Sequence, residues 1–215
     1  MLSTECWRTC YRMNFVPLLP LFPLEIVVFP GAPLPLHIFE PRYKEMIGEC
    51  LSQNRAFGLV RAKENAVSAI GCSATILEVI KKYDDGRLDI AAEGAQRFEI
   101  IQVNQERSFL QAEVAFFDDE PSVVSKSAAD SVVQLHEQLF AVLGRTVEVE
   151  RDAAYLSFRL AQDLPVDLDF KQTLLEMKSE AERVEILTEY YKATIPKIEN
   201  SLRVRQRASG NGHVH

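Results

Sequence analysis

The chain has 215 residues, of which 31 are acidic and 24 basic, giving a net charge of −7 and a pI near 5.2, and 47% of it is hydrophobic. That is the composition of an ordinary soluble globular protein, long enough for one large domain or two small ones. The acidic balance disfavours nucleic acid as a partner, since a phosphate backbone calls for a basic footprint.

Residues 1–15 are read as an N-terminal extension. Arg8 and Arg12 interrupt any apolar run there, so it is not a signal peptide, and the default compartment is the cytoplasm. From Pro17 to Pro35 the chain carries six prolines, and Pro41 makes seven. Each removes a backbone donor and biases its predecessor away from the α region, which argues against a helix, a central strand or a membrane span. Short extended pieces over Leu18–Leu24 and Ile26–Phe29, a Pro30-Gly31 turn and a helix over Pro41–Ser52 are predicted instead. Strand patterns follow at Phe57–Ala62, Ala74–Tyr83, Leu88–Ala92, Phe98–Val103 and Phe109–Phe117, with Asp84-Asp85-Gly86 as a hairpin turn. Closely spaced strands with one helix argue for a small barrel or sandwich.

Near Glu120 the period becomes helical. Asp119-Glu120-Pro121 reads as a helix start, and Val124, Ala128, Val132, Leu135, Leu139 and Val142 recur at three and four up to Gly144. Further helices fit Asp152–Gln162 and Asp169–Lys178. A last one starts at the capping box of Ser179 and Glu182, with Val184, Leu187, Tyr191, Ile195 and Ile198 on its apolar face. The predicted organisation is a barrel subdomain over 16–120, a helical subdomain over 121–202 and a disordered tail over 203–215.

Chemistry is hard to find along this chain. The P-loop pattern does not occur, and neither do HExxH or a carboxylate cluster, so no cofactor and no metal are expected. Cys6 and Cys10 lack partners at zinc-finger spacing, while Cys50 and Cys72 read as small core residues. His37 with Glu40, and His136 with Glu137, could be drawn as acid–base pairs, but no nucleophile completes either. His37 reads as structural and His136 as a surface residue, and no catalytic residue is assigned.

The proline-rich stretch also carries a resemblance. PLFPL at 20–24, VVFPG at 27–31 and LPLHIFEPRY at 34–43 are similar to the opening of the Lon N-terminal domain, the substrate-binding domain of ATP-dependent Lon proteases. Phe57-Gly58-Leu59-Val60, Ile70-Gly71-Cys72, Asp85-Gly86-Arg87, Gly94 and Arg97-Phe98 follow in the family's order. Leu164-Pro165, Lys171-Gln172, Leu174-Leu175-Glu176, Ser179 and Arg183 resemble its helical half. The resemblance implies an α+β fold, a PUA-like β pseudo-barrel followed by a C-terminal helical bundle.

It also implies a non-catalytic polypeptide-binding module, an adaptor or weak holdase in protein quality control without the family's ATPase and Ser-Lys protease modules. Its partners would be unfolded or apolar polypeptide segments and a protease or ATPase, with no membrane. Large apolar groups in the opening stretch, Phe29, Leu34, Leu36, Phe39 and Tyr43, are the candidate substrate-binding residues, through a hydrophobic groove or a free strand edge. Glu40 and Arg42 either pair across the helix start or line a recognition cleft. The alternative reading is an RNA-binding PUA-like protein, resting on Arg203, Arg205 and Arg207.

Overall fold

A computed structural model describes residues 18–64, 66–149 and 155–210, with side chains up to 204. The readings made of Cys6, Cys10 and the N-terminal extension fall outside those residues. Strands β1 (Leu19–Leu24), β3 (Phe57–Lys63), β5 (Ile70–Lys82), β6 (Leu88–Asn104) and β7 (Gln111–Phe117) form a ring in the order β1-β7-β6-β5-β3, closed by parallel pairing of β1 with β3. Strand β2 (Pro33–Ile38) pairs with the first part of β6, and β4 (Ala66–Val67) with the end of β3. Helix α1 (Pro41–Gln53) lies between β2 and β3. The helices α2 (Lys126–Val142), α3 (Leu156–Gln162), α4 (Leu168–Glu176) and α5 (Glu180–Gly210) follow the barrel. This is the α+β arrangement of pseudo-barrel and C-terminal helices.

Proline does not keep β1 out of the ring. The strand pairs with β7 through Leu19 and Pro20 and with β3 through Leu21–Leu24, so each flank is bonded over only part of its length. That split lets Pro20 and Pro23 sit in a doubly paired strand, correcting the expectation drawn from the donors they lack. Ile26–Phe29 is irregular, and the extended piece lies instead at β2. Leu88–Ala92 and Phe98–Val103 are the two ends of one 17-residue strand. At its middle, Gly94 passes so close to Phe29 that the backbones exchange bonds with the Gly31–Ala32 turn.

Inside the barrel, Leu19, Leu21, Val60, Phe98 and Ala112 form one cluster, with the Phe98 ring filling the space left by Gly58 and Gly71. A larger cluster runs from Phe22, Tyr43, Ile47 and Phe57 through Phe29 and Phe158 to Phe140, Leu187 and Tyr191, so the two halves share one core. Cys50 and Cys72 are buried in it, and burial pushes their thiols up to about 11 and about 12. Arg61 and Lys63 of β3 meet Asp169 of α4 at 2.7 and 3.1 Å, and Gln172 donates to the Ile70 carbonyl at 3.1 Å.

One helix starts later than its sequence signal, and the predicted start of α3 at Asp152 lies outside the described residues. Helix α2 begins at Lys126, where the Ser125 hydroxyl accepts from the Ala128 amide. Asp119 is diverted into a buried ion cluster that joins the halves. Helix α5 starts as the capping box predicts, with the Ser179 hydroxyl accepting from the Glu182 amide, and it continues to Gly210, through eight positions expected in the disordered tail. No helix among the described residues is long and apolar enough to cross a membrane.

His136 is the clearest correction among the polar residues. It is 2% exposed, because the buried stripe of α2 runs Val132, Val133, His136, Leu139, Phe140 rather than through Ala128 and Leu135. Its Nδ1 bonds the Tyr191 hydroxyl at 2.8 Å, and burial pulls its pKa down to about 4. A base that protonates more readily unfolded than folded destabilises the fold as pH falls from about 6.5 to about 4. Stability should therefore be full above pH 6.5 and drop by about 3 kcal/mol toward pH 4. Urea titrations at both pH values test this: wild type should lose about 3 kcal/mol more than His136→Gln, and equal losses would refute it.

Candidate polypeptide-binding surface

Strands β5, β6 and β2 extend beyond the ring as a three-stranded arm. Its rows across the outward face are fixed by register: Thr75, Glu93, Pro33; then Glu78, Ala91, Pro35; then Lys81, Asp89, His37. Side chains directly opposite one another share a face, so these residues form one continuous outer surface. Two irregularities then load it with apolar groups. Ile76 pairs with Ala92 and Glu78 with Ala91, leaving Leu77 as an extra residue; Val79 pairs with Ile90 and Lys81 with Asp89, leaving Ile80 as another. Bulges re-aim the extra side chain, and Leu77 and Ile80 are 62% and 59% exposed.

The far end of the arm is organised by Asp89. One of its carboxylate oxygens meets His37 Nδ1, and the other accepts from the Tyr83 hydroxyl at 2.7 Å. These bonds, from His37 first and then Tyr83, hold the Asp89 carboxyl below the usual carboxylate range. The His37 ring stacks beside Phe39, with centroids 6.0 Å apart, and Lys81 and Arg87 sit over Tyr83. Phe39 is 59% exposed.

Of the five residues expected to bind substrate, only Phe39 lies open on this surface, and Leu36 is half-buried. Phe29, Leu34 and Tyr43 belong to the core. Phe29 stacks on Phe158 with centroids 5.0 Å apart in the seam between the halves. Leu34 is on the inner face of β2, and Tyr43 lies on the buried stripe of α1 against Phe22, 4.0 Å away. Glu40 and Arg42 pair with each other at 2.8 Å across the helix start. The sequence pattern does not single out the exposed Leu77 and Ile80, although a signal exists. The doublets Ile76-Leu77 and Val79-Ile80 break strict alternation, as a strand must when one residue of each pair is bulged outward.

The edges of the arm resist backbone pairing. Ala32 accepts from the Gly94 amide, so by the period of two the even residues of β2 face β6 and Pro33 and Pro35 face the open edge. Proline offers no donor there. Beyond Ala74, β5 pairs only with β6 among the described residues, and its other edge carries two bulges with Lys81 and Lys82. Prolines, bulges and lysines are the means by which proteins keep strand edges from pairing. On this arm the two outer edges therefore disfavour strand addition, and its exposed side chains are what it presents. Among the described residues, no group of three His, Cys, Asp or Glu could hold a metal ion.

Residues 18–193 match the family described as the ATP-dependent protease La (LON) substrate-binding domain. The chain is 24% identical over 209 residues to the Lon protease of Buchnera aphidicola subsp. Baizongia pistaciae, covering 89% of this chain and 26% of that protein. Lon protease 2 of Myxococcus xanthus is 26% identical over 205 residues, with 86% and 25% covered. The chain thus spans about a quarter of the length of these relatives. Among solved structures it is similar to a Lon N-terminal domain protein from Xanthomonas campestris, with a TM-score of 0.67 at 25% identity, covering 81% of this chain and 99% of that one. The N-terminal domain of Mycobacterium avium complex Lon protease shares the fold, with a TM-score of 0.58 at 18% identity, covering 81% and 98%. The match runs unbroken from the start of β1 into α5, through barrel and helices alike, and the chain belongs to the LON substrate-binding domain family.

Proposed function

We propose that this chain is a non-catalytic polypeptide-binding module that holds non-native segments against the outer face of the β2–β6–β5 arm, as an adaptor or weak holdase serving a protease or ATPase. One observation carries the reading: paired bulges turn Leu77 and Ile80 outward on a substrate-binding-family domain, at a site whose edges reject strand addition. Unfolded chains have exposed apolar side chains in common, and an apolar surface takes them with little regard to sequence.

Fluorescence anisotropy with a labelled, reduced and carboxymethylated polypeptide, alongside its native folded form, tests this. Wild type should prefer the unfolded form. Leu77→Asp with Ile80→Asp should weaken binding about thirtyfold, or about 2 kcal/mol. Stability should stay within about 0.5 kcal/mol, since both side chains are exposed. Equal binding by wild type and double variant, or equal binding of folded and unfolded probe, would refute the proposal.

A further inference from the structure

Helices α2 and α5 run side by side in the same direction. The Glu120 amide bonds the Lys178 carbonyl just before they begin, and His136 bonds Tyr191 farther along. Beside their N-terminal turns a groove of about 440 Å³ stands open. Its apolar part is Val123, Val124, Ala128 and Val184, and Val123 is 90% exposed. Thr188 in the same groove donates its hydroxyl to the Val184 carbonyl at 2.7 Å, so it adds no unpaired donor. The α5 side of the groove is charged. Glu185, Glu189 and Lys192 are exposed there and make no ion pair among the described residues. An apolar cleft beside two free carboxylates and a lysine suits an amphipathic helix with two bases and an acid along one flank.

This chain carries such a segment outside the described residues. Glu5 stands three positions before Arg8, and Arg8 four before Arg12; Glu185 stands four positions before Glu189, and Glu189 three before Lys192. Laid antiparallel to α5, one register therefore sets Arg12 against Glu185, Arg8 against Glu189 and Glu5 against Lys192. The orientation is also the one that dipoles favour, because the negative C-terminal end of the added helix lies beside the N-termini of α2 and α5. On a helix Trp7 and Tyr11 are one turn apart, about 100° around from the arginines, and so turn toward the cleft when the arginines meet α5. Ser3 precedes the segment as a capping residue, with Leu2 and Trp7 at the two positions of a hydrophobic staple.

A route from β1 to the groove exists. Leu18 lies beside Glu113, and beyond Ala112 strand β7 pairs only with β6 among the described residues. Its uncovered edge leads to Phe117, whose ring is 5.1 Å from the Lys178 ammonium, three residues before Ala181, the first α5 residue of the groove. From Glu113 to Phe117 the strand spans about 14 Å, and an extended run from residue 13 to 18 reaches about 17 Å.

We infer that the α2–α5 groove is the seat of residues 4–13 of this same chain, docked as a helix antiparallel to α5 with Arg8 and Arg12 against Glu189 and Glu185. The segment then straps the barrel to the helices and closes the groove to other partners. The groove shares no residue with the β2–β6–β5 arm.

Trp7 is the single tryptophan of the chain, so the full-length protein reports the docking without a label. Its fluorescence should be blue-shifted, and several-fold less quenched by acrylamide, relative to a synthetic peptide of residues 1–16. Protection should not change with protein concentration, since the segment docks on its own chain. Glu185→Arg with Glu189→Arg should expose Trp7 to the level of the free peptide, because the two arginines then meet like charge. Adding Arg8→Glu and Arg12→Glu should restore the protection. Circular dichroism of the Glu185→Arg, Glu189→Arg variant should match wild type from α2 onward, since both positions are exposed. Trp7 as open to acrylamide as the free peptide, protection unmoved by the paired glutamate substitutions, protection that grows with concentration, or no recovery on the charge swap would each overturn the inference.

Discussion

Asp119→Ala should lower the stability of this protein by about 3–5 kcal/mol, while Asp118→Ala, one residue away, should change it by about 0.5 kcal/mol or less. Asp119 is shared by two arginines that have almost no contact with water: Arg97 of β6, with a side chain 2% exposed, and Arg183 of α5, at 0%. Arg183 donates to Asp119 Oδ1 at 2.8 Å, to the Met177 carbonyl at 2.8 Å and through Nε to Ser157 Oγ at 2.8 Å, and it also pairs with Glu180. Arg97 donates to the carbonyls of Leu175 and Met177, and both guanidiniums lie over the Phe158 ring, at 5.2 and 4.1 Å. Two positive and two negative groups balance within this pocket, and burial lowers the Arg97 pKa. Without Asp119, two buried guanidiniums are left with Glu180 as their carboxylate, and one must be desolvated without compensation. Asp118 is exposed and accepts from Gln96 at 3.1 Å. Urea denaturation of both variants decides the matter, and similar midpoints would show that the cluster does not tie barrel to helices.

Gly94→Ala is the second large expected effect, at roughly 3 kcal/mol or more, a fall in melting temperature of about 6–12 °C for a chain of this size. A Cβ at this position would stand 2.1 Å from the Phe29 carbonyl oxygen and 3.0 Å from its carbon. Neither atom can move, because Gly94 donates to Ala32 at 2.9 Å and accepts from Gly31 at 2.8 Å. The same substitution at Gly48 should have the opposite sign. Gly48 is exposed within α1, a Cβ there meets nothing within 4 Å, and alanine should stabilise the helix by about 1 kcal/mol. Melting curves of the two variants should move in opposite directions, and a neutral Gly94→Ala would mean that the chain around Phe29 is less constrained than the backbone contacts imply.

Much of the architecture is legible without coordinates wherever a signal is local. The helix after Glu40-Pro41, the Asp85-Gly86 turn, the cap at Ser179 and the switch from strand to helix period near Glu120 each depend on a few adjacent residues. Errors arise where distant groups compete for the same residue. Asp119 is read as part of a helix start, yet two arginines from β6 and α5 claim it. His136 is read as exposed, yet Tyr191 of α5 supplies a buried partner.

The candidate site divides the same way. Sequence by itself established a strand-rich half followed by a helical half and an excess of large apolar groups, because composition, periodicity and turn chemistry are properties of neighbouring residues; the pseudo-barrel came from the family resemblance. Which of those groups face water was a tertiary decision. Phe29, Leu34 and Tyr43 are covered by strands and helices far away in the chain, while Leu77 and Ile80 are turned outward by a mismatch in step between β5 and β6. Exposure depends on what packs against a side chain, and that is settled only when the whole chain has closed around its core.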